Sequence, residues 1–539
     1  IASCLVGSEM CIRDRDKVSK RRTFAIISHP DAGKTTLTEK FLLYGGAIQE
    51  AGMVKGKQNM RHAVSDWMEI EKQRGISVTS SVLQFNYDGF CINILDTPGH
   101  QDFSEDTYRT LMAADSAVMV IDASKGVEAQ TRKLFKVCAM RHIPIFTFIN
   151  KMDREAKDPY ELMEEIEQEL GMDTCPVNWP IGCGKQFKGV YERESKKVIR
   201  FVPVQGGKKE VQEIITDYDD PELIKEIGED YYATLQDDVE LLDGAGAEFD
   251  LERVHRGELS PVCFGSALTN FGVEPFLHHF LDYSMPPQPK QSDDGPIDPF
   301  NEDFSAFVFK IQANMNKAHR DRMAFMRITS GKYTKGMEVF HMQGNKKIKL
   351  SQSKQLMADD REEIQEAYSG DIIGVFDPGI FSIGDTICTP KHKFKFEGIP
   401  TFAPEHFARI RNTDTMKRKQ FVKGVEQIAQ EGAIQIFTEI GGSMEEIIVG
   451  VVGVLQFEVL EYRLKNEYNV NIKREPLGYQ FIRWIDNEEI DLYSLNLSSD
   501  TKRVQDLRGK YLLLFSNQWG INWATDKNKE LILSEFSKN

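Results

Sequence analysis

The stretch Ser28–Thr35, which reads SHPDAGKT, decides the fold of this chain. It follows the phosphate-loop pattern G-x-x-x-x-G-K-[ST], except that Ser28 stands at the first glycine position. The apolar run Thr23–Ile27 precedes it, and the helical pattern Thr35–Leu43 follows it. A strand, a loop and a helix in this order present backbone N–H groups at the helix start, where they can bind phosphate. The stretch therefore predicts a phosphate-binding loop in an α/β domain.

Four further apolar runs have the length of buried strands, and the helical pattern Val127–Arg141 lies among them. The runs are Phe90–Leu95, Ser116–Ile121, Pro144–Ile149 and Pro261–Gly265. Apolar strands that alternate with helices are typical of a parallel sheet covered on both faces. In such a sheet, ligands bind at the carboxyl ends of the strands. We therefore predict a P-loop domain with a mostly parallel sheet and a ligand at that edge.

Four more short motifs follow the phosphate loop in the chain. They are RGIS (Arg74–Ser77), DTPGH (Asp96–His100), NKMD (Asn150–Asp153) and GSA (Gly265–Ala267). Any one of them could occur by chance. Their order, and their setting among alternating strands and helices, make chance implausible, and together they predict a guanine-nucleotide site.

The phosphate side of this site has residues for both charge and metal binding. The Lys34 ammonium suits the β- and γ-phosphates, and the Thr35 hydroxyl suits Mg²⁺. Asp96 suits Mg²⁺ through a water and also suits the turn that it begins, whereas Ser77 offers a second hydroxyl from a loop ordered by the γ-phosphate. The residues predicted to bind phosphate are Ser28, His29, Pro30, Asp31, Ala32, Gly33, Lys34, Thr35, Thr36, Asp96, Thr97, Pro98 and Gly99. The predicted cofactors are GTP or GDP and Mg²⁺, with Thr35, Ser77 and Asp96 as metal ligands.

The NKMD motif predicts guanine rather than adenine. The Asp153 carboxylate can accept hydrogen bonds from the ring N–H and the exocyclic amine of guanine, and adenine offers neither donor in that arrangement. Sites built on such hydrogen bonds reject analogues that lack the partner by roughly 10⁴–10⁵-fold. The predicted guanine-binding residues are Asn150, Lys151, Met152, Asp153, Ser266, Ala267 and Leu268.

His100 follows the predicted γ-phosphate contact Gly99 directly. A single histidine is more often structural than functional. This position, however, gives the imidazole reach to a water in line with the γ-phosphate, and phosphoryl transfer depends mainly on positioning and charge stabilisation. His100 is therefore the predicted catalytic residue.

Composition excludes several other classes of protein. The 539 residues include 67 Lys and Arg against 83 Asp and Glu, a net charge of −16, which argues against charge-driven binding to nucleic acid and against DNA as a partner. The eight cysteines form no C-x-x-C pair and read as reduced thiols of a cytoplasmic protein. No apolar stretch reaches the roughly 18 residues of a membrane span.

Changes in composition along the chain indicate several domains. The segment between Asp153 and Ser266 is too long for one crossover and predicts an inserted subdomain. A Pro- and Asp-rich linker precedes short glycine-punctuated runs typical of a small antiparallel barrel, and helical and strand patterns then mix as in an α+β domain. The predicted divisions are a non-native or disordered leader at 1–16, a nucleotide-binding domain at 17–285 with an insert at about 156–258, a linker at 286–303, a β-barrel at 304–395 and an α+β domain at 400–539.

The phosphate loop, RGIS and DTPGH resemble those of the ribosome-activated translational GTPases related to elongation factor G. The finer resemblance is to the bacterial release factor 3 family, and it runs from about Lys17 to the C-terminus. It rests on SDWMEIEKQRGISVTSS (65–81), DFSEDTYRTL (102–111), WPIGCGKQFKGVY (179–191), FVFKIQANMNKAHRDRMAFMRITSGKY (307–333) and GVLQFEVL (453–460). Many relatives carry a threonine where this chain has Ser77, but the hydroxyl is retained.

The resemblance implies a ribosome-stimulated GTPase of translation termination. Its implied partners are the ribosome, through large-subunit RNA and stalk proteins, and the class 1 release factors, whose GTP-dependent dissociation it would promote at every stop codon. In that family the DTPGH histidine, here His100, positions the attacking water. The resemblance also implies a monomer.

Three alternatives remain at this stage. A translocase or back-translocase related to elongation factor G carries further domains, and too few residues follow the third domain here to hold them. A scaffold protein that binds GTP without hydrolysing it is a second alternative. It does not require Lys34, Thr35 and His100 together, so their presence argues against it. A factor that cleaves peptidyl-tRNA uses a Gly-Gly-Gln tripeptide, which does not occur in this sequence.

Overall fold

The computed structural model describes residues 12–47, 79–203, 211–245, 248–313, 322–350, 353–357, 360–440, 446–487 and 490–535. The RGIS motif lies outside the described residues, so the Mg²⁺ role of Ser77 stays a prediction. Residues 12–19 are helical, and this helix includes the end of the segment assigned to the leader. Within the described part of the chain, no helix is long and apolar enough to cross a membrane.

The first domain contains the predicted parallel sheet. Its strands are β1 (Arg21–Ser28), β2 (Ser81–Tyr87), β3 (Phe90–Asp96), β4 (Ser116–Asp122), β5 (Ile145–Asn150), β6 (Asp173–Pro176), β7 (Asn178–Ile181), β8 (Gly189–Glu192), β9 (Lys197–Pro203), β10 (Val211–Asp217) and β11 (Leu259–Phe264). Its helices are α1 (Lys34–Tyr44), α2 (Ser104–Leu111), α3 (Ala129–Met140), α4 (Pro159–Leu170), α5 (Pro221–Ile227), α6 (Glu229–Ala245), α7 (Leu251–His255) and α8 (Val273–Tyr283), with 3-10 turns at Gln101–Phe103 and Gly184–Gln186. The central sheet has the order β2-β3-β1-β4-β5-β11-β6, in which edge strand β2 runs antiparallel to β3 and the other neighbours are parallel.

Both faces of this sheet are covered. Successive residues of a strand point to opposite faces, so each strand contributes to two hydrophobic cores. On one face, Phe24 packs its ring 4.4 Å from that of Phe280 in α8, and Phe41 of α1 lies in the same core. On the other face, Ala25 and Ile27 share a core with Leu134 of α3. Every residue of β4 is buried, which explains why this strand reads as a continuous apolar run.

The segment predicted as an insert is divided between two sheets. Strand β6 pairs in parallel with β11 and so extends the central sheet. Strands β7–β10 form a separate antiparallel sheet of four strands. The separate sheet therefore begins at Asn178, after residues that the sequence analysis had also placed in the insert.

The second domain is an antiparallel, barrel-like sheet, as predicted. A linker hairpin, β12 (Lys290–Ser292) and β13 (Gly295–Ile297), precedes it. Its strands are β14 (Ser305–Ala313), β15 (Arg322–Ser330), β16 (Lys332–Thr334), β17 (Glu338–His341), β18 (Lys346–Lys349), β19 (Ser353–Met357), β20 (Asp360–Glu363), β21 (Glu366–Tyr368), β22 (Ile372–Phe376) and β23 (Thr386–Cys388). The main sheet has the order β18-β17-β23-β14-β15-β22-β19-β20, and β16 pairs with β21.

The third domain combines an antiparallel sheet with helices. Its strands are β24 (His406–Asn412), β25 (Gln435–Glu439), β26 (Glu446–Val451), β27 (Ile472–Leu477), β28 (Phe481–Ile485), β29 (Lys502–Asp506), β30 (Tyr511–Phe515) and β31 (Leu533–Ser534), and its helices are α9 (Arg418–Gln430), α10 (Leu455–Tyr468) and α11 (Gln518–Lys527). Helix α9 buries Phe421, Gly424, Val425 and Ile428, whose spacing places them on one helix face. The sheet order is β27-β24-β26-β25-β29-β30-β28-β31.

Candidate functional site

Four of the five sequence motifs meet at one edge of the central sheet. Strands β1, β3 and β5 end at Ser28, Asp96 and Asn150, which are members of three of the motifs. Strand β11 ends at Phe264, directly before the GSA motif. Because these strands are parallel, their carboxyl ends lie side by side and bring the four loops together.

The phosphate loop has a backbone shape that only glycine adopts easily at one position. Gly33 has φ of 100° and lies directly before α1, which begins at Lys34 without a side-chain cap. A Cβ on Gly33 would lie 2.2 Å from the Asn150 amide nitrogen, so a side chain there would also collide with the NKMD motif. The uncapped N–H groups at the start of α1 are therefore available to an anion.

The Lys34 side chain is buried beside the DTPGH motif. Its Nζ lies 2.7 Å from Asp96 Oδ1 and also donates to the Thr97 carbonyl. Thr97 Oγ1 in turn donates to the Ile26 carbonyl over 2.7 Å, which anchors the motif to β1. A Cβ on Gly99 would lie 3.5 Å from Pro30 Cα, so the two predicted phosphate loops are in van der Waals contact.

These residues fit a nucleotide with Mg²⁺. The Thr35 hydroxyl stands in the first turn of α1, and the Asp96 carboxylate is 2% exposed at the end of β3. The Ser28 hydroxyl is buried, and none of the described residues hydrogen-bonds to it. The ligands offered here are the Thr35 hydroxyl and the Asp96 carboxylate, to which the predicted ligand Ser77 would add a second hydroxyl. Such a small set suits Mg²⁺, which keeps waters and phosphate oxygens as further ligands.

Asn150 holds three loops together. Its Nδ2 donates to the Ala32 carbonyl of the phosphate loop over 2.8 Å. Its Oδ1 accepts from the backbone N–H groups of Lys151 and Ala267, each over 2.8 Å. The side chain is 2% exposed, so its hydrogen bonds fix the relative positions of the phosphate loop, the NKMD motif and the GSA motif.

Lys151 adds a second link between the base side and the phosphate side. Its Nζ donates to the Asp31 carbonyl and, over 2.7 Å, to Asp122 Oδ2. Burial acts to raise the pKa of Asp122, but hydrogen bonds from Lys151 and Ser124 outweigh it and leave this pKa below its ordinary value. Asp122 is therefore ionised at neutral pH and holds Lys151 across the edge of the sheet.

Asp122 is a site residue that lies outside the five sequence motifs. A signal was available, because Asp122 directly follows the predicted strand Ser116–Ile121, and polar residues at strand ends of a parallel sheet meet at the ligand edge. Its position between the motifs becomes visible only when β4 is placed between β1 and β5.

The Asp153 carboxylate lies against the GSA motif. Its Oδ1 accepts from the Ser266 hydroxyl over 2.5 Å. Ser266 and Ala267 are buried, whereas Leu268 is half exposed. Met152 is buried, and its N–H donates to the Gly265 carbonyl, so it supports the loop from below.

His100 directly follows Gly99 in the DTPGH motif and is partly exposed. Its Nδ1 accepts from the Asp102 N–H over 3.3 Å and lies 3.4 Å from Asp102 Oδ1. The Phe103 ring lies edge-on, with 6.2 Å between ring centroids. The imidazole therefore has Nδ1 held by its own turn, and no hydrogen bond joins Nε2 to the described residues.

Comparisons with known proteins cover nearly the whole chain. The family model of the elongation factor Tu GTP binding domain matches residues 19–286, and that of elongation factor G domain 2 matches residues 303–390. The model of the class II release factor RF3 C-terminal domain matches residues 396–525. The three matches follow the three domains of the structure.

Individual relatives agree with these matches. Peptide chain release factor 3 of Symbiobacterium thermophilum is 57% identical over 517 residues, which are 96% of this chain and 98% of that protein. Peptide chain release factor 3 of a Cyanothece species is 53% identical over 518 residues, which are 96% of this chain and 95% of that protein. A crystal structure of a protein from Thermus thermophilus has the same fold, with a TM-score of 0.68 and 20% identity over 90% of this chain and 72% of that chain. With GTPase, barrel and release-factor domains in this order, the chain belongs to the peptide chain release factor 3 family, the translational GTPases of termination.

Proposed function

We propose that this protein hydrolyses GTP on the ribosome and thereby promotes dissociation of class 1 release factors after the peptide has left. The proposal is supported above all by Asn150, whose hydrogen bonds join the phosphate loop, the NKMD motif and the GSA motif into one site. The release-factor model over residues 396–525 supports the termination step.

Each predicted side chain has a role in this reaction. Lys34 neutralises charge on the β- and γ-phosphates, and backbone N–H groups at the start of α1 hold the phosphates. Thr35, Asp96 and the predicted ligand Ser77 would hold Mg²⁺, which would supply charge stabilisation to the phosphate oxygens. Asp153 reads guanine, and the loop of Ser266 and Ala267 borders the guanine carbonyl, although the N–H groups there donate within the protein, that of Ser266 to the Phe271 carbonyl and that of Ala267 to Asn150 Oδ1.

His100 orients the attacking water in this proposal. When the Asp102 N–H donates to Nδ1, the neutral imidazole carries its proton on Nε2. That nitrogen then acts as a hydrogen-bond donor to the water oxygen or to a phosphate oxygen, and it does not need to remove a proton. Positioning and charge stabilisation are the main needs of phosphoryl transfer.

The proposed partners are the ribosome, through its large-subunit RNA and stalk proteins, and the class 1 release factors. In the GTP form, the protein favours a ribosome conformation in which such a factor binds poorly. The two binding events are coupled, typically by about 1–3 kcal/mol in such systems. We further propose that the protein acts as a monomer in the cytoplasm.

The test combines GTP turnover with release-factor residence on terminated ribosomes. With wild-type protein and GTP, a labelled class 1 factor should dissociate several-fold faster at every stop codon. His100→Ala should bind GTP within a few-fold of wild type and lose hydrolysis by orders of magnitude. His278→Ala, an exposed histidine on α8, is the control and should behave as wild type. If tRNA and mRNA move by one codon while release-factor residence stays constant, the protein is a translocase and the proposal is wrong.

A further inference from the structure

Two atoms of Asp102, its backbone nitrogen and Oδ1, lie close to Nδ1 of His100. A neutral ring can accept the Asp102 N–H at Nδ1, over 3.3 Å. A protonated ring can instead donate from Nδ1 to Asp102 Oδ1, 3.4 Å away. In either state the same residue holds Nδ1 and leaves Nε2 for the substrate.

The same carboxylate is anchored in the third domain. Asp102 Oδ2 accepts from the Leu455 N–H over 2.7 Å, at the first residue of α10. A Cβ on Gly453 would lie 2.0 Å from Asp102 Cγ, so the loop before α10 has room for this carboxylate only because residue 453 is glycine. The side chain of Asp102 is 13% exposed, and its two oxygens therefore face two different domains.

The helix that follows this turn is also fixed to the other domains. Arg109 Nη2 of α2 donates to the Gly432 carbonyl of the third domain over 2.9 Å. Asp106 of α2 accepts from Ser80 N–H over 2.8 Å, and the Ser80 carbonyl accepts from Lys310 of the barrel. These hydrogen bonds link the helix after the His100–Asp102 turn to the third domain and, through Ser80, to the barrel.

We propose that Asp102 is a positioning residue, through which the docked third domain fixes the imidazole of His100 for hydrolysis. This inference rests on the proposed role of His100 and extends it. It makes the hydrolysis rate depend on the contacts that Gly453 and Leu455 make with the Asp102 side chain. Misplacing a catalytic group by about 1 Å can cost 10²-fold in rate, so loss of these contacts should lower kcat strongly. Nucleotide binding should not change, because the contacts of Gly453 and Leu455 with the first domain shown among the described residues are to Asp102.

The test uses full-length protein, ribosomes and GTP. Asp102→Ala and Gly453→Ala should each lower ribosome-stimulated kcat by about ten-fold or more and leave the nucleotide Kd nearly unchanged. Asp102→Asn still offers an oxygen to the Leu455 N–H and should recover most of the lost kcat. Gly478→Ala is the matched control, because a Cβ there would meet no atom within 4 Å, and it should keep wild-type kcat.

The double variant Asp102→Gly with Gly453→Ala separates positioning from general damage. The three atoms nearest to a Cβ on residue 453 all belong to the Asp102 side chain, and glycine at position 102 removes all of them, so the double variant should match Asp102→Gly alone. Additive losses would overturn the inference, as would an equal loss in Gly478→Ala or no recovery in Asp102→Asn.

His100→Ala is measured in parallel. If it loses hydrolysis while Asp102→Ala and Gly453→Ala keep wild-type kcat, this inference is wrong and the proposed function stands. If His100→Ala itself keeps wild-type kcat, the proposed catalytic role falls and this inference with it.

Discussion

At the residue scale, Asn150 and Asp153 of the NKMD motif have different tasks. Asn150 is buried, and both ends of its amide are used within the protein, on Ala32 and on the Lys151 and Ala267 N–H groups. The Asp153 carboxylate uses Oδ1 on the Ser266 hydroxyl over 2.5 Å and has a second oxygen. The Asn150 side chain thus holds the loops of the site in place, and the Asp153 carboxylate is suited to select the base.

Asp153→Asn should change the preferred nucleotide from GTP to xanthosine triphosphate. An amide offers a donor that matches the ring carbonyl of xanthine and no longer satisfies the guanine N–H groups, so GTP affinity should fall by roughly 10²-fold or more. Nucleotide competition measures this change. Asp88→Asn is the control, since Asp88 lies in the β2–β3 turn with φ of 46°, a conformation that asparagine also accepts. An unchanged GTP preference in Asp153→Asn would remove Asp153 from base recognition.

At the element scale, the linker between the first two domains is an ordered hairpin. Strands β12 and β13 pair from Lys290 to Ile297, and the Asp293 N–H donates to the Lys395 carbonyl over 2.9 Å. The Lys290 ammonium lies over the rings of Phe307 at 4.1 Å and Phe396 at 6.0 Å. The hairpin therefore packs on the barrel and brings a lysine onto an apolar surface.

Lys290 should make stability depend on pH above neutrality. Burial, followed by the charges of Arg141 and Arg327, lowers the pKa of Lys290 to about 7 in the folded protein. The unfolded chain, with a lysine pKa of about 10.4, binds more protons between pH 7 and 10, so this group makes the free energy of unfolding rise with pH over that range.

Lys290→Met should therefore raise the unfolding free energy at pH 7 and raise it less at pH 9.5. Urea unfolding at the two pH values measures the difference. Lys393→Met is the control, because the Lys393 ammonium also lies over a ring, 3.7 Å from the Phe340 centroid, but the residue is exposed. Equal shifts of Lys290→Met at both pH values would contradict the assignment.

At the scale of the whole molecule, buried polar contacts join the first domain to the barrel. Asp115, just before β4, has Oδ2 2.5 Å from Arg327 Nη2 of β15, and its Oδ1 accepts from the Gln288 N–H of the linker over 3.2 Å. Asp371 of the barrel lies 2.8 Å from Arg21 Nε of β1. Charges in these positions are costly unless both partners are present.

Arg327→Met should weaken the interface between the first domain and the barrel. Burial already raises the pKa of Asp115, although Arg327 and the Gln288 N–H oppose this shift, and without Arg327 the carboxylate loses its cation. Loss of one partner of such a pair costs about 3–5 kcal/mol, measurable by urea unfolding. Lys335→Met, which removes an exposed pair with Glu363, should cost no more than about 1 kcal/mol. Equal costs for the two variants would show that the Arg327 pair does not hold the domains together.

The sequence by itself determined the fold class and the order of the site loops. Buried strands such as β4 carry a continuous apolar run, and the phosphate loop requires glycine at residue 33 for its left-handed backbone. Both features can therefore be recognised from short stretches of sequence. The predicted parallel sheet, barrel and α+β domain are confirmed.

Tertiary structure decided what depends on contacts between distant residues. The division of the insert at Asn178 follows from the pairing of β6 with β11, and the hairpin of the linker follows from its packing on the barrel. The elements after Leu507 are β30, α11 and β31. Asp102 and Leu455 are separated by 353 positions, and no local pattern records that one carboxylate faces both His100 and a second domain. Local patterns reflect backbone preference and burial, whereas these contacts exist only because elements distant in the sequence pack against each other.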